Sequence, residues 1–134
     1  MAKKTTLTTK FEIKSWDEKP YRELPDGRAF KRADVVLAGG ADGALDATWE
    51  SELYYEADGT STFVGLMHVT GTLDGRAGEF VMEGSGTYDG TEARIKSKII
   101  ASAGDLSGLT GTSEHVSTHA DYPHWPMKLT YELE

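Results

Sequence analysis

The stretch FVGLMHVTGTLDGRAGEFVMEGSG, residues 63–86, decides the fold because it reads as two strands around a turn. The turn signal is LDGR (73–76), and on both sides of it residues alternate in character with a period of two. One face of each strand is therefore expected to point inward: Phe63, Gly65, Met67 and Val69 on the first strand, and Phe80, Met82 and Gly84 on the second. Methionine stands where a plain β core would carry Val or Ile, so the hairpin either fills an ordinary core or lines a cavity.

The same alternation recurs along the whole chain, between glycine-containing turn signals. It predicts about eight strands, near residues 5–16, 30–38, 47–56, 61–71, 78–88, 92–101, 110–119 and 126–134. No segment shows the apolar stripe of a helix. An antiparallel sheet of this size is expected to close, because closure removes exposed edges. The sequence therefore predicts an all-β chain, with residues 1–134 forming a single antiparallel β-barrel of about eight strands around a central cavity.

Composition narrows the functional classes. The formal net charge of -8 argues against a nucleic-acid partner, since phosphate binding needs clustered Lys and Arg. No apolar run reaches the length of a membrane span, and the N-terminal residues lack the apolar region of a signal peptide. The absence of cysteine excludes disulfides, thiolate metal sites and a Cys nucleophile. A cytoplasmic protein without membrane or nucleic-acid partners is expected.

Two segments contain candidate polar groups for chemistry. In SEHVSTHAD, His115 and His119 would lie roughly 13 Å apart on a strand, too far to bind one metal ion together, so no metal is expected. His115 would share an inward face with Ser113 and Ser117, although a hydrogen-bonded surface histidine is the alternative. His68 is expected outside.

In TWESELYY, the face of Trp49, Leu53 and Tyr55 is predicted to point inward. Glu50 and Glu52 would then be solvated. If the register were reversed, Glu52 would become a buried carboxylate with a raised pKa, able to act as a general base.

Two connections are predicted to cover the ends of the barrel. DEKPYRELPDGR (17–28) is interpreted as a long loop after the first strand. HADYPHWP (119–126) is interpreted as a loop because its prolines forbid a regular ladder, and Trp125 within it would serve as a lid.

Several stretches resemble DUF3224, an uncharacterised bacterial family known only as a domain of unknown function. They are FEIKSWDEKPY (11–21), YYEADGTSTFVGL (54–66), VTGTLDGRAGEFV (69–81), GDLSGLTG (104–111) and LTYELE (129–134). The resemblance implies the barrel of allene oxide cyclase, which dirigent proteins and some polyketide spirocyclases share. Proteins with that barrel enclose hydrophobic small molecules without cofactors, and they often associate as dimers or trimers.

The chain departs from the resembling family at three inward positions. Leu37, Met67 and Gly84 stand where the family commonly has Lys, Glu and His. Together with Gly39 and Gly65, which supply no side chain, they suggest an apolar and partly hollow interior. A repacked solid core is the alternative, because losing a buried charged set is often neutral or stabilising.

These observations lead to three hypotheses. The first is a cofactor-independent cyclase or isomerase that folds a polyene or polyketide-like substrate inside the barrel. An intramolecular cycloaddition fits this hypothesis especially well, because it needs no base, nucleophile or metal. The second is a carrier barrel for a hydrophobic small molecule, and the third is a solid structural module; a homo-oligomer is expected. The predicted catalytic residues are Tyr55, Tyr88 and His115. The predicted substrate-binding residues are Leu37, Trp49, Leu53, Phe63, Met67, Phe80, Met82, Trp125 and Tyr131.

Overall fold

Eight antiparallel strands follow one another around a closed ring in the computed structural model, which describes residues 4–133. The strands are β1 Lys4–Glu23, β2 Ala29–Gly39, β3 Leu45–Tyr55, β4 Ser61–Leu73, β5 Arg76–Tyr88, β6 Glu92–Gly104, β7 Thr110–Thr118 and β8 His124–Glu132. Short helical turns occur at Gly40–Gly43 and His119–Asp121. The all-β prediction and the number of strands are confirmed.

Strand β1 closes the ring because its two halves pair with different neighbours. Residues 4–12 pair with β8, and residues 12–23 pair with β2. The predicted loop over 17–28 is wrong, since β1 continues to Glu23 and only residues 24–28 connect it to β2. Pro20 is tolerated within this strand because the β1–β8 ladder ends at Glu12, which leaves one edge of the second half of β1 unpaired.

The turn of the opening hairpin has the expected geometry. Leu73 pairs with Arg76, and the two residues between them, Asp74 and Gly75, both have positive φ angles of 53° and 74°. A two-residue turn with two positive φ angles matches the right-handed twist of the strands that it joins. The turn therefore fixes the register in which Met67 faces Met82 and Phe63 faces Gly86.

One end of the barrel interior is filled by large side chains, and we call this region the packed end. It lies toward the Asp74-Gly75 turn, where the Tyr131 hydroxyl donates to the Asp74 carboxylate at 2.9 Å. Its apolar members are buried to within a few per cent: Leu37, Leu45, Met67, Val69, Leu73, Phe80, Met82, Leu106, Leu109, Leu129 and Tyr131. The methionines of the opening hairpin are thus core residues.

The inward glycines allow close packing rather than leaving empty volume. A methyl group added at Gly65 would collide with the Glu50 carbonyl oxygen and lie 2.9 Å from the Trp49 ring. A methyl group at Gly84 would collide with the Ser97 hydroxyl. Gly39 ends β2 in an exposed position with a φ of 79°. The expectation of hollow interior space is therefore wrong at Gly65 and Gly84, and Gly39 is exposed at the end of β2.

This packing predicts unequal costs for two glycine substitutions. Gly65→Ala should lower the free energy of unfolding by about 2 kcal/mol, because a backbone oxygen and an indole ring must both move. Gly84→Ala should cost less, because the nearest atom is a hydroxyl that can rotate away. Urea unfolding of the two variants measures the difference, and equal costs would contradict this account of Gly65.

Candidate functional site: an aromatic cavity at one end of the barrel

A cavity of about 330 Å³ opens at the end of the barrel opposite the Asp74-Gly75 turn. This end is formed where β3, β5 and β7 finish and where β4, β6 and β8 begin. Seven aromatic side chains line the cavity: Trp16, Trp49, Tyr55, Phe63, Tyr88, Tyr122 and Trp125. The barrel interior is therefore divided into a packed end and a hollow end.

Trp125 is the centre of the aromatic wall. Its ring centroid lies 5.8 Å from that of Trp49 and 6.3 Å from that of Trp16, and Trp49 meets Phe63 edge to face at 6.4 Å. These separations are those of favourable aromatic pairs. Trp49 and Trp125 are buried, whereas Trp16 is 47% exposed, so the wall runs from a closed base to an open mouth.

Three residues of the lining carry a buried polar atom that has no hydrogen-bond partner among residues 4–133. These atoms are the hydroxyl oxygens of Ser51 and Ser61 and Nε1 of Trp125, and each is shielded from water. Buried polar groups in folded proteins are nearly always paired.

A small polar network holds Tyr55 at the rim. The Tyr55 hydroxyl donates to the Glu18 carboxylate at 3.2 Å, and Lys31 Nζ lies 3.7 Å from that carboxylate and 4.5 Å from the centre of the Tyr55 ring. Burial, reinforced by the negative charge of Glu18, raises the pKa of Tyr55 to about 12. Tyr55 is therefore a hydrogen-bond donor near neutral pH and not a base.

Tyr88 lies across Ser61 from Tyr55, because Ser61 pairs with both residues. Its hydroxyl lies 2.9 Å from His119 Nε2 and donates to the Gly90 carbonyl at 3.0 Å. His119 also lines the cavity. The structure thus brings two of the three predicted catalytic residues together at the rim.

The third, His115, lies outside the cavity lining. It packs against Trp125 with ring centroids 5.3 Å apart, and its buried Nε2 has no hydrogen-bond partner within the described residues. Burial lowers the pKa of His115 to about 4, so the imidazole is neutral near pH 7. The inward orientation is as expected for strand β7, but the side chain lies behind Trp125.

The predicted substrate-binding residues divide between the two ends. Trp49, Leu53, Phe63 and Trp125 line the cavity. The other five lie in the packed end, where they belong to the hydrophobic core: Leu37, Met67, Phe80, Met82 and Tyr131. They are absent from the lining and therefore lie outside the candidate site.

Trp125 reaches the cavity in a different way from that expected. It belongs to strand β8 and packs inside the barrel, so the prediction of a loop-borne lid is wrong. Pro126 is compatible with this strand because it pairs with Lys10 of β1, while the β7–β8 ladder begins only at Lys128. At Pro126 no ladder on the β7 side requires an N–H donor.

Sequence reasoning missed Trp16 and Glu18, which both belong to the cavity end. A register shift between Ile13 and Ser15 reverses the alternation, so Trp16 faces Val35 and Glu18 faces Ala33, two inward residues. The signal was the spacing of Phe11, Ile13 and Trp16, in which a step of three follows a step of two.

The remaining sequence predictions concern groups outside the cavity. Glu50, Glu52 and His68 are exposed, which confirms the chosen face of β3 and excludes Glu52 as a buried base. Within residues 4–133, no group of three or more His, Asp or Glu side chains is placed to hold a metal ion. None of the helices in that range is both long and apolar enough to cross a membrane.

Comparison with known proteins gives a family and a fold. The model of the family DUF3224, described as a protein of unknown function, matches residues 7–131. A crystal structure of a DUF3224 protein of unknown function from Shewanella oneidensis MR-1 is similar, with a TM-score of 0.75 and 23% identity over 98% of this chain and 99% of that chain. No curated protein matches the sequence.

Proposed function

The chain belongs to the DUF3224 family of proteins of unknown function, and from its cavity we propose that it binds a small, mainly apolar molecule. The observation that carries the proposal is the cavity itself, about 330 Å³ in volume and lined by seven Trp, Tyr and Phe side chains. A ligand that enters this cavity buries apolar surface against these rings and makes favourable aromatic contacts with them.

The volume of the cavity limits the ligand. A cavity of about 330 Å³ lies near the lower end of the range of roughly 300–1,000 Å³ that small-molecule sites occupy. It suits a molecule of two or three rings better than a large macrocycle. The volume of the cavity therefore restricts the expected hydrophobic ligand to a compact molecule.

Filling the cavity should abolish binding. Ala93 lines the cavity, so Ala93→Phe places a ring in the space that the ligand would use. We expect the affinity for the neutral fluorescent probe N-phenyl-1-naphthylamine to fall at least tenfold, measured by fluorescence titration. Ala101→Phe on the same strand is the matched control, because Ala101 is exposed, and it should leave the affinity unchanged. If both variants bind the probe equally well, the probe does not occupy this cavity.

A second candidate is a cofactor-independent cyclase or isomerase acting in the same cavity. The observation that favours it is the rim pair Tyr55 and Tyr88. Tyr55 stays protonated, and by exchanging its hydrogen bond to Glu18 for one to the substrate it would donate to an oxygen on which negative charge develops. Such a mechanism would combine confinement of the substrate with one or two hydrogen bonds.

Catalysis is tested by incubating the protein with compact conjugated ketones and epoxides and searching for products of unchanged mass. Tyr55→Phe should slow any such conversion about a hundredfold while leaving ligand affinity within threefold, since the hydrogen bond matters most in the transition state. If the tested compounds bind tightly and none is converted, the carrier function is the only one that remains. Association into dimers or trimers stays a prediction, which sedimentation velocity can test.

A further inference from the structure

The wall of the barrel is incompletely paired between β7 and β8. The ladder that joins these strands ends where Glu114 pairs with Lys128, although both strands extend beyond that pair. Residues 115–118 of β7 and residues 124–127 of β8 have no pairing with each other in the part of the chain that the structure describes. We call the boundary between these two segments the seam. Pro126 lies in the middle of it and has no N–H to donate across it.

A groove of about 640 Å³ crosses the outside of the barrel at the seam. This outer groove is lined on β7 and β8 by Glu114, His115, Val116, Pro126, Met127 and Lys128. His115 and Met127 point toward the interior, and side chains on the inner face of an intact wall do not border its outer surface. Ile95, which is also buried, lines both the outer groove and the cavity. The outer groove therefore reaches into the seam from the side opposite the cavity.

Two packed rings lie between the outer groove and the cavity. Trp125 lines the cavity and His115 lines the outer groove, and their ring centroids are 5.3 Å apart with an angle of 57° between the rings. The buried nitrogens, Nε1 of Trp125 and Nε2 of His115, have no hydrogen-bond partner among residues 4–133. Packing rather than hydrogen bonds from these nitrogens therefore holds the two rings together across the seam.

The seam is continuous with the mouth of the cavity. Ser117 and Thr118 at the end of β7 line the cavity, as does His124 at the start of β8. His119 and Tyr122, in the segment that connects these strands, line it as well. Separation of the two strands along the seam would widen the mouth sideways, and it would break none of the pairing that joins β7 to β8.

We propose that the seam is a side entrance through which a ligand reaches the cavity, closed on the inside by the rings of His115 and Trp125. The entrance opens when residues 115–118 move away from residues 124–127 and the two rings separate. Local openings of this kind cost less free energy than global unfolding, because few contacts break. This inference rests on the proposed binding function and adds the route by which the ligand enters and leaves.

A reducible cross-link across the seam tests the inference. The chain contains no cysteine, so Val116→Cys combined with Pro126→Cys introduces a single pair of thiols. Both positions line the outer groove, and they would lie opposite each other if the register of Glu114 and Lys128 continued. We expect the oxidised form to take up N-phenyl-1-naphthylamine about tenfold more slowly than the reduced form of the same variant, since the entrance can no longer open. Stopped-flow fluorescence measures both rates.

Thr112→Cys combined with Thr130→Cys is the matched control. Thr112 and Thr130 pair within the ladder between β7 and β8, so oxidation joins two strands that the ladder already holds together. This oxidation should leave the rate of probe uptake unchanged. If the sulfur atoms of either variant do not approach closely enough to form a disulfide, a bifunctional methanethiosulfonate joins the same thiols across a wider gap and is also removed by reductant.

Exchange of the Trp125 indole hydrogen with solvent tests the opening without any ligand. Nε1 of Trp125 is shielded from water in the structure, so its hydrogen exchanges when the ring becomes exposed. Oxidation of the variant that carries Val116→Cys and Pro126→Cys should slow this exchange about tenfold, measured by NMR spectroscopy. Oxidation of the control variant should not change it.

The outcomes separate the route of entry from the binding function. If the probe binds and enters the oxidised and reduced forms at the same rate, the side entrance is wrong while the binding function stands. If oxidation also leaves the indole exchange unchanged, the seam does not open at all. If the probe does not bind the unaltered protein, the binding function is overturned and the entrance with it, whereas a slower indole exchange on oxidation would still show that the seam opens.

Discussion

Phe80→Ala is expected to lower the free energy of unfolding by about 3–5 kcal/mol, measured by urea denaturation. Phe80 is 1% exposed and lies in the packed end among side chains that are equally buried. Removing its ring leaves a cavity that the rigid strands around it cannot fill by collapsing. The same variant should bind N-phenyl-1-naphthylamine with unchanged affinity, because Phe80 does not line the cavity.

The combination of these two readouts tests whether the barrel interior is divided into two functionally separate ends. Val64→Ala is the control, because Val64 is 58% exposed on the outer face of β4 and should change stability by no more than about 0.5 kcal/mol. A loss of less than 1 kcal/mol in Phe80→Ala would mean that the packed end is loosely filled. A large loss of probe affinity in a variant that is still folded would mean that the two ends are coupled.

The fold was predictable because alternation and turn chemistry act locally. Period two identified the buried faces of β3, β4 and β5, and the turn at Asp74 and Gly75 set the register of the hairpin that contains Met67 and Met82. Closure followed from the number of strands, since an open sheet of this size would expose two long edges. The end of β1 differs from the prediction, which placed residues 17–28 in a loop. The strand continues to Glu23, and its unpaired edge tolerates Pro20.

The candidate site was only partly predictable, since a cavity depends on where side chains from distant strands meet. The sequence placed Trp49 and Phe63 on inward faces, and both line the cavity. It placed Met67 on an inward face with equal reason, yet this side chain lies in the packed end. Period two assigns a face but not a depth along the barrel, so it does not distinguish a core residue from a lining residue.

Depth along the barrel depends on the stagger between strands, which accumulates around the ring. Residue 12 of β1 faces the beginning of β8 on one side and the end of β2 on the other. This stagger places Trp16 at the mouth, although Leu7 on the same strand contacts the core. No local pattern contains the stagger, because it is a property of the closed sheet as a whole.

The largest pH effect on stability is expected from His115. The pKa of a histidine in the unfolded chain is about 6.5, and burial against Ile95 and Trp125 lowers the pKa of His115 to about 4 in the folded protein. Between these two values the unfolded state binds a proton that the folded state does not. The contribution is therefore fully present above pH 6.5 and is lost as the pH falls toward 4. At about 1.4 kcal/mol per pH unit, lowering the pH of the solution from 7 to 4.5 should remove roughly 2 kcal/mol through this residue.

His115→Gln isolates this contribution, because glutamine keeps a polar side chain of similar size that does not titrate. The free energy of unfolding, measured in urea at pH 7 and pH 4.5, should fall by roughly 2 kcal/mol less in His115→Gln than in the unaltered protein. His68→Gln, at an exposed position, should keep the full decrease. The carboxylates of Asp26, Asp58 and Asp89 have pKa values lowered by hydrogen bonds, so they weaken the fold only at lower pH and in all three proteins alike. An identical decrease in His115→Gln and the unaltered protein would show that His115 is solvated or paired at neutral pH, and that Trp125 therefore does not shield it from water.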